Sequence, residues 1–230
     1  MSHHDAGRST VPRGRRVRRW LVVSACVGVV GLAAVGLGVT CRPATYRPTS
    51  VDAGRLRDDK AALAELQESI SAGLNAGREV SVRLTEEQIN RWLAGWAEIW
   101  PDAPWQRAGL RHPQVTLLDE AVRVGVTIDT GAWSAVITCS ARLEVSASEL
   151  ALRCTGVRVG VIPVPAGWVL SAGAGSAPIE EAEARVVGDR LVRSNAWVWP
   201  NGHRHYRVSV CRVTPGQIEV VLQPVGGPAR

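Results

Sequence analysis

Hydrophobic and polar positions change period several times along this chain, and each change marks an element. From Asp52 to about Leu74, apolar residues recur every three or four positions (Leu56, Leu63, Leu66, Ile70, Leu74) with charges between them. That spacing predicts an amphipathic helix, closed near Gly77. Residues 78–84 alternate apolar and polar and predict a short strand. Thr85 opens a second helix: Gln88 stands three residues on, the spacing of a capping box, and Glu86 and Glu87 suit the first turn. Ile89, Trp92, Leu93, Trp96, Ile99 and Trp100 share its apolar face, and Pro101 ends it.

Period two then takes over. Residues 101–113 read as a proline-rich loop. Strands follow at Gln114–Leu118, Ala121–Asp129, Ala132–Val145 and Glu149–Val161, separated by turn signals at Asp119-Glu120, Thr130-Gly131 and Ser146-Ala147-Ser148. This is an antiparallel meander. Val122, Val124, Val126 and Ile128 predict its buried face; Arg123, Gly125, Thr127 and Asp129 predict its wetter one. Ile162-Pro163-Val164-Pro165 reads as the end of the sheet, because proline cannot donate to a ladder. Residues 166–174 read as a short apolar helix or turn. Residues 179–193 (IEEAEARVVGDRLVR) read as an amphipathic helix, acidic at its start and basic at its end. Strands at 196–199, 205–213 and 217–223 complete an α+β pattern with a curved antiparallel sheet packed on helices.

A different pattern precedes all of this. Trp20 to Cys41 carries no charge over 22 residues. As a helix it would reach about 33 Å, enough for a hydrocarbon core of about 30 Å. The chain therefore reads as a basic cytoplasmic tail (1–19), one transmembrane helix (20–41), a linker (42–51), one exported α+β domain (52–224) and a Pro/Gly tail (225–230). A cleaved signal peptide fits less well, since its apolar core usually spans about 7–15 residues. The cysteine of Val23-Ser24-Ala25-Cys26 has too few apolar residues before it for a lipoprotein signal.

Charge sharpens that topology. Arg8, Arg13, Arg15, Arg16, Arg18 and Arg19 face only Asp5 in the tail, which thus holds most of the net charge of +6. The remainder carries 21 basic against 20 acidic side chains. The high isoelectric point belongs to the tail, so it gives no support to nucleic-acid binding. Positive-inside logic puts the N-terminus in the cytoplasm and the C-terminal domain outside, in a bacterial inner (cytoplasmic) membrane protein of single-pass type. Phenylalanine is absent and nine tryptophans replace it. Export permits disulfides, and Cys139 and Cys154 flank a hairpin turn, where they form either a disulfide or two small buried apolar residues.

Catalytic signatures are missing. No GxSxG, HExxH, P-loop or strand-borne GxGxxG occurs. His203 and His205 offer two metal ligands without a third. Glu180, Glu181 and Glu183 are explained by a helix N-terminus, and Asp119-Glu120 by a turn. Aromatic residues do not interleave with a basic patch on the strands, which disfavours single-stranded nucleic acid. The chain reads as a non-enzyme with no cofactor and no metal.

Two stretches carry a resemblance. Leu84-Thr85-Glu86-Glu87-Gln88-Ile89-Asn90 follows a strand and opens a helix; Val157 to Pro165 (VRVGVIPVP) closes a sheet before an apolar turn. Their order resembles bacterial single-pass membrane proteins of unknown function of the YpmS-like kind, and more widely exported domains suspected of lipid binding. The resemblance implies an anchored exported domain without an assigned activity. Together the readings predict a domain held to the bilayer through Trp20 to Cys41 that binds an apolar ligand or lipid. Trp92, Trp96, Trp100, Trp105 and Trp168 are the candidate ligand wall. The alternative is a structural or assembly subunit of a cell-envelope complex, with an exported hydrolase the weakest reading.

Overall fold

Hairpins with short loops build most of this molecule. The computed structural model describes residues 36–101, 109–129, 131, 133–168, 184–199 and 205–225. It divides into two units, 1–38 and 39–230. Most of the expected membrane span lies outside the described residues. Residues 36–40 are helical, and no helix among the described residues is long and apolar enough to cross a membrane.

The second unit is mixed α+β, dominated by antiparallel sheets with a few helices. Helix α1 (Leu56–Asn75) keeps its leucine stripe the least exposed, with Leu74 fully buried. Strand β1 (Val80–Thr85) alternates as expected. Helix α2 (Glu86–Ala94) starts with the capping box: Thr85 Oγ1 accepts from Gln88 N, and Thr85 N donates to Gln88 Oε1. The expected continuous helix to Trp100 breaks at Gly95, and a short α3 (Trp96–Ile99) follows. A Cβ at Gly95 would stand 2.6 Å from Leu56 Cδ1, so a larger residue there would have to push aside the tip of the α1 leucine.

The strands fall into two sheets. One has the order β1-β11-β10-β9, with β9 (Trp197–Val198), β10 (His205–Thr214) and β11 (Gln217–Val225). The other runs β2-β3-β4-β5-β8-β7: β2 (Leu110–Leu118), β3 (Ala121–Asp129), β4 (Ser134–Val145), β5 (Glu149–Val159), β7 (Arg185–Val187) and β8 (Arg190–Ser194). Hydrogen bonds from Glu120 N to Val213 O (3.2 Å) and from Gly216 N to Leu117 O (3.3 Å) join the two. Buried Leu117, Ala141, Cys154 and Val157 share one face of the larger sheet by register. Asn195, 2 % exposed, ties β10 to the β4–β5 turn: its Nδ2 donates to Ser146 O and Val208 O, and its Oδ1 accepts from Val208 N.

Four expectations need correction. The helix expected over residues 179–193 is, in its described part, the β7–β8 hairpin. Val187 pairs with Arg190 across a two-residue loop whose first residue, Gly188, has φ +64°. Glu180, Glu181 and Glu183, the acidic start of that expected helix, lie outside the described residues. Ile162-Pro163-Val164 does not end the sheet but folds back on β5 as β6 (Ile162–Val164), on the edge of β5 away from β4 and past the Glu149–Arg153 stretch that β8 covers.

The linker and the sheet faces are corrected together. Residues 42–51 do not simply lead away from the domain: Tyr46 is buried on β3. Its hydroxyl donates to His112 O (2.5 Å) and pairs with Thr127 Oγ1 (2.8 Å), while Arg47 N donates to Gln114 Oε1 (2.6 Å). A Cβ at Gly125 would come within 2.7 Å of the Tyr46 ring. Gly125 and Thr127, expected to be wet, are therefore covered, and Val124, expected to be buried, is 43 % exposed.

Candidate functional site

Beyond Tyr46, the covered face of β3–β4–β5 opens into a groove of about 620 Å³. Register places its floor. Arg123, Ser140 and Gly156 form one row across three strands, and Thr138 and Arg158 pair in the next row. Arg142 stands two residues along β4 from Ser140, on the same side. A bulge between Ser140 and Ala141 leaves Thr155 without a partner in the ladder; its hydroxyl donates to Ser140 O (3.1 Å). Pro43, Leu118 and Ala121 add an apolar end beside the segment that carries Tyr46.

The charge here is one-sided. Arg123, Arg142 and Arg158 all line the groove, and no carboxylate does. Among the described residues none of the three forms an ion pair. Arg123 Nε donates to Ser140 Oγ (3.2 Å), which fixes the side chain and leaves four N–H donors. Like charges about 7 Å apart repel by ~0.6 kcal/mol per pair even in water. Arginines toward the β7–β8 hairpin are compensated. Arg153 meets Asp189 (3.3 Å) and Glu144 (3.8 Å), Arg185 meets Glu149 (2.6 Å), and Arg190 bonds Glu144. On the smaller sheet, the Arg83 guanidinium and then the Ser81 hydroxyl hold the Glu219 carboxyl below its usual range. A smaller groove of about 250 Å³ between α1 and α2 holds Arg91 beside Asp59 (3.5 Å) and Glu87 (3.8 Å).

The expected tryptophan wall is spread over different settings. Trp92 is buried at 8 % exposure, and Trp96 and Trp100 are half-buried beyond the break at Gly95. Trp168 is 74 % exposed, and Trp105 lies outside the described residues. Neither groove has a tryptophan in its lining. The aromatic rings brought together are others. Tyr206 stacks with Trp197 (6.3 Å between centroids) and meets Trp199 edge-on (5.7 Å), and the Arg193 guanidinium lies 3.4 Å above Trp197. Trp199 Nε1 donates to Ser71 Oγ (2.7 Å), which fastens this cluster to α1.

Cys139 and Cys154 are free thiols whose sulfurs lie 3.3 Å apart. The bulge offsets them, so Cys139 pairs in the ladder with Val157 and Cys154 with Ala141. Burial, then the hydrogen bond and charge of Cys154, pushes the Cys139 thiol up to about 12, which makes it a poor nucleophile near neutral pH. Burial also raises the Tyr46 phenol. His203 lies outside the described residues, and His205 is exposed at the start of β10. Among the described residues no three His, Cys, Asp or Glu side chains gather as metal ligands would.

The arginine groove escaped sequence reasoning because its members are 19 and 16 residues apart and meet only through strand register. The one signal was their shared parity with polar partners on adjacent predicted strands. Compared with known protein families, curated proteins and solved structures, the chain matches none.

Proposed function

We propose that this chain is a bacterial inner-membrane protein, single-pass with a cytoplasmic N-terminus, whose exported α+β domain binds a lipid or similar amphiphile without catalysing a reaction. One observation carries the reading: the sheet groove combines apolar lining (Pro43, two residues after the apolar stretch closes at Cys41, with Leu118 and Ala121) and cationic lining (Arg123, Arg142 and Arg158). A ligand with a greasy part and a charged part fits that pair of surfaces. The tether keeps the groove close to a bilayer and so raises the local concentration of such a ligand.

Native mass spectrometry of the full chain released from membranes tests this. Bound lipid masses, and a Tm that rises when lipid is added to neutral detergent, are expected. A clean unliganded mass with an unmoved Tm overturns it.

The second reading, a structural or assembly subunit of an envelope complex, draws on the exposure of the large apolar side chains Trp168 (74 %) and Val161 (46 %). Crosslinking in membranes from a site at position 168 should then capture one partner protein. A chain that remains a lone monomer counts against it.

A further inference from the structure

We infer that Arg123, Arg142 and Arg158 form a binding site for a phosphate-class anion, a monoester or diester. The inference deepens the lipid reading above, and rests on it only for the source of the anion. Three arginines lining one groove, one of them bonded to Ser140, exceed what a single carboxylate needs. A tetrahedral anion with several acceptor oxygens can use donors from more than one arginine, and guanidinium forks match phosphate oxygens in pairs. The Thr138 hydroxyl adds a neutral donor on the same face. The bulge at Thr155 turns the strand beside this spot, a device frequent next to binding sites.

The floor also has room. A Cβ at Gly156 would meet nothing within 4 Å, so the space above the middle of the floor is open. No described carboxylate stands at ion-pair distance from any of the three arginines, and a bound anion would offset their mutual repulsion. A long polyanion is the poorer fit: no aromatic ring lines the groove for bases to stack on, and the chain outside its tail is almost neutral.

The test uses the full chain in neutral detergent, titrated by calorimetry with inorganic phosphate, with glycerol 1-phosphate, and with micelles doped with phosphatidylglycerol. Two variants address the site. Arg142→Gln with Arg158→Gln removes two exposed charges, and Gly156→Leu fills the floor without changing charge. Arg57→Gln with Arg78→Gln, two exposed arginines elsewhere, controls for net charge. Saturable binding of the soluble phosphates is expected, weakened at least tenfold by each site variant and less than twofold by the control. Phosphatidylglycerol should bind more tightly than glycerol 1-phosphate. Equal affinity for these two keeps the anion site and overturns the lipid source. Absence of binding by all three ligands overturns the site. So does equal weakening in the control, or undiminished binding by Gly156→Leu with an unchanged Tm.

Discussion

One face of the larger sheet carries arginines in two opposite arrangements. Toward the β7–β8 hairpin, Arg153, Arg185 and Arg190 each meet a carboxylate. Across β3–β4–β5, Arg123, Arg142 and Arg158 meet none that is described. The backbone is the same ladder in both halves, so the fold does not impose the difference. Paired surface charges contribute little to stability, and unpaired ones of like sign cost a little. Like charges kept at that cost are relieved by a bound anion, whereas paired charges tie neighbouring strands together.

The sharpest way to break the contrast is to remove the wall beside the unpaired half. Tyr46→Ala should lower the unfolding free energy by about 3 kcal/mol in a denaturant titration, because a buried ring and its hydrogen-bonding partners lose contact. A loss below about 1 kcal/mol would mean that the segment does not seal this face. Gly125→Ala should cost about 2 kcal/mol by pushing on the same ring, and should cost far less in the Tyr46→Ala background. Additive losses would show that the two do not touch.

The charge contrast itself is subtler. Glu144→Gln should destabilise by about 1 kcal/mol or less, since it strips the acid shared by Arg153 and Arg190. Arg142→Gln and Arg158→Gln should leave stability unchanged, or raise it by up to ~0.5 kcal/mol at low salt, with the gain gone at high salt. The same sign for both sets of variants would erase the distinction. Alkaline titration should act smallest near neutral pH. The Cys139 thiol is raised from 9.0 to about 12, and burial raises Tyr46, Tyr206 and Cys211 as well. The folded state holds these protons more tightly, so stability should be whole below about pH 9 and fall as pH climbs toward 12. A Tm that holds steady or rises across that range would contradict the burial of these groups.

Much of the fold was legible in local pattern. The leucine stripe of α1, the Thr85 capping box and the β2–β5 meander follow from side-chain period and turn residues. What was illegible depended on which partner a segment finds, near or far. Ile179 to Arg193 has a charge gradient that suits a helix, yet Val186 and Leu191 find each other across Gly188-Asp189 in a hairpin. The assignment of β3 faces failed because nothing in the sequence announces that Tyr46, 81 residues before Thr127, lies on it. The tryptophan stripe was visible, but whether such a stripe faces a ligand or the core depends on its neighbours. The arginine groove needed the register of three strands and one bulge.

Helix α2 has a consequence at the sheet's first edge. Asn90 Nδ2 donates to Val115 O and its Oδ1 accepts from Val115 N, both at 2.7 Å, and one turn earlier Glu86 Oε2 accepts from Leu117 N at 2.7 Å. These two side chains occupy the ladder that a further strand would use. A second copy therefore finds no free backbone at Val115 or at Leu117 N to add itself to, which guards this edge against strand-to-strand polymerisation.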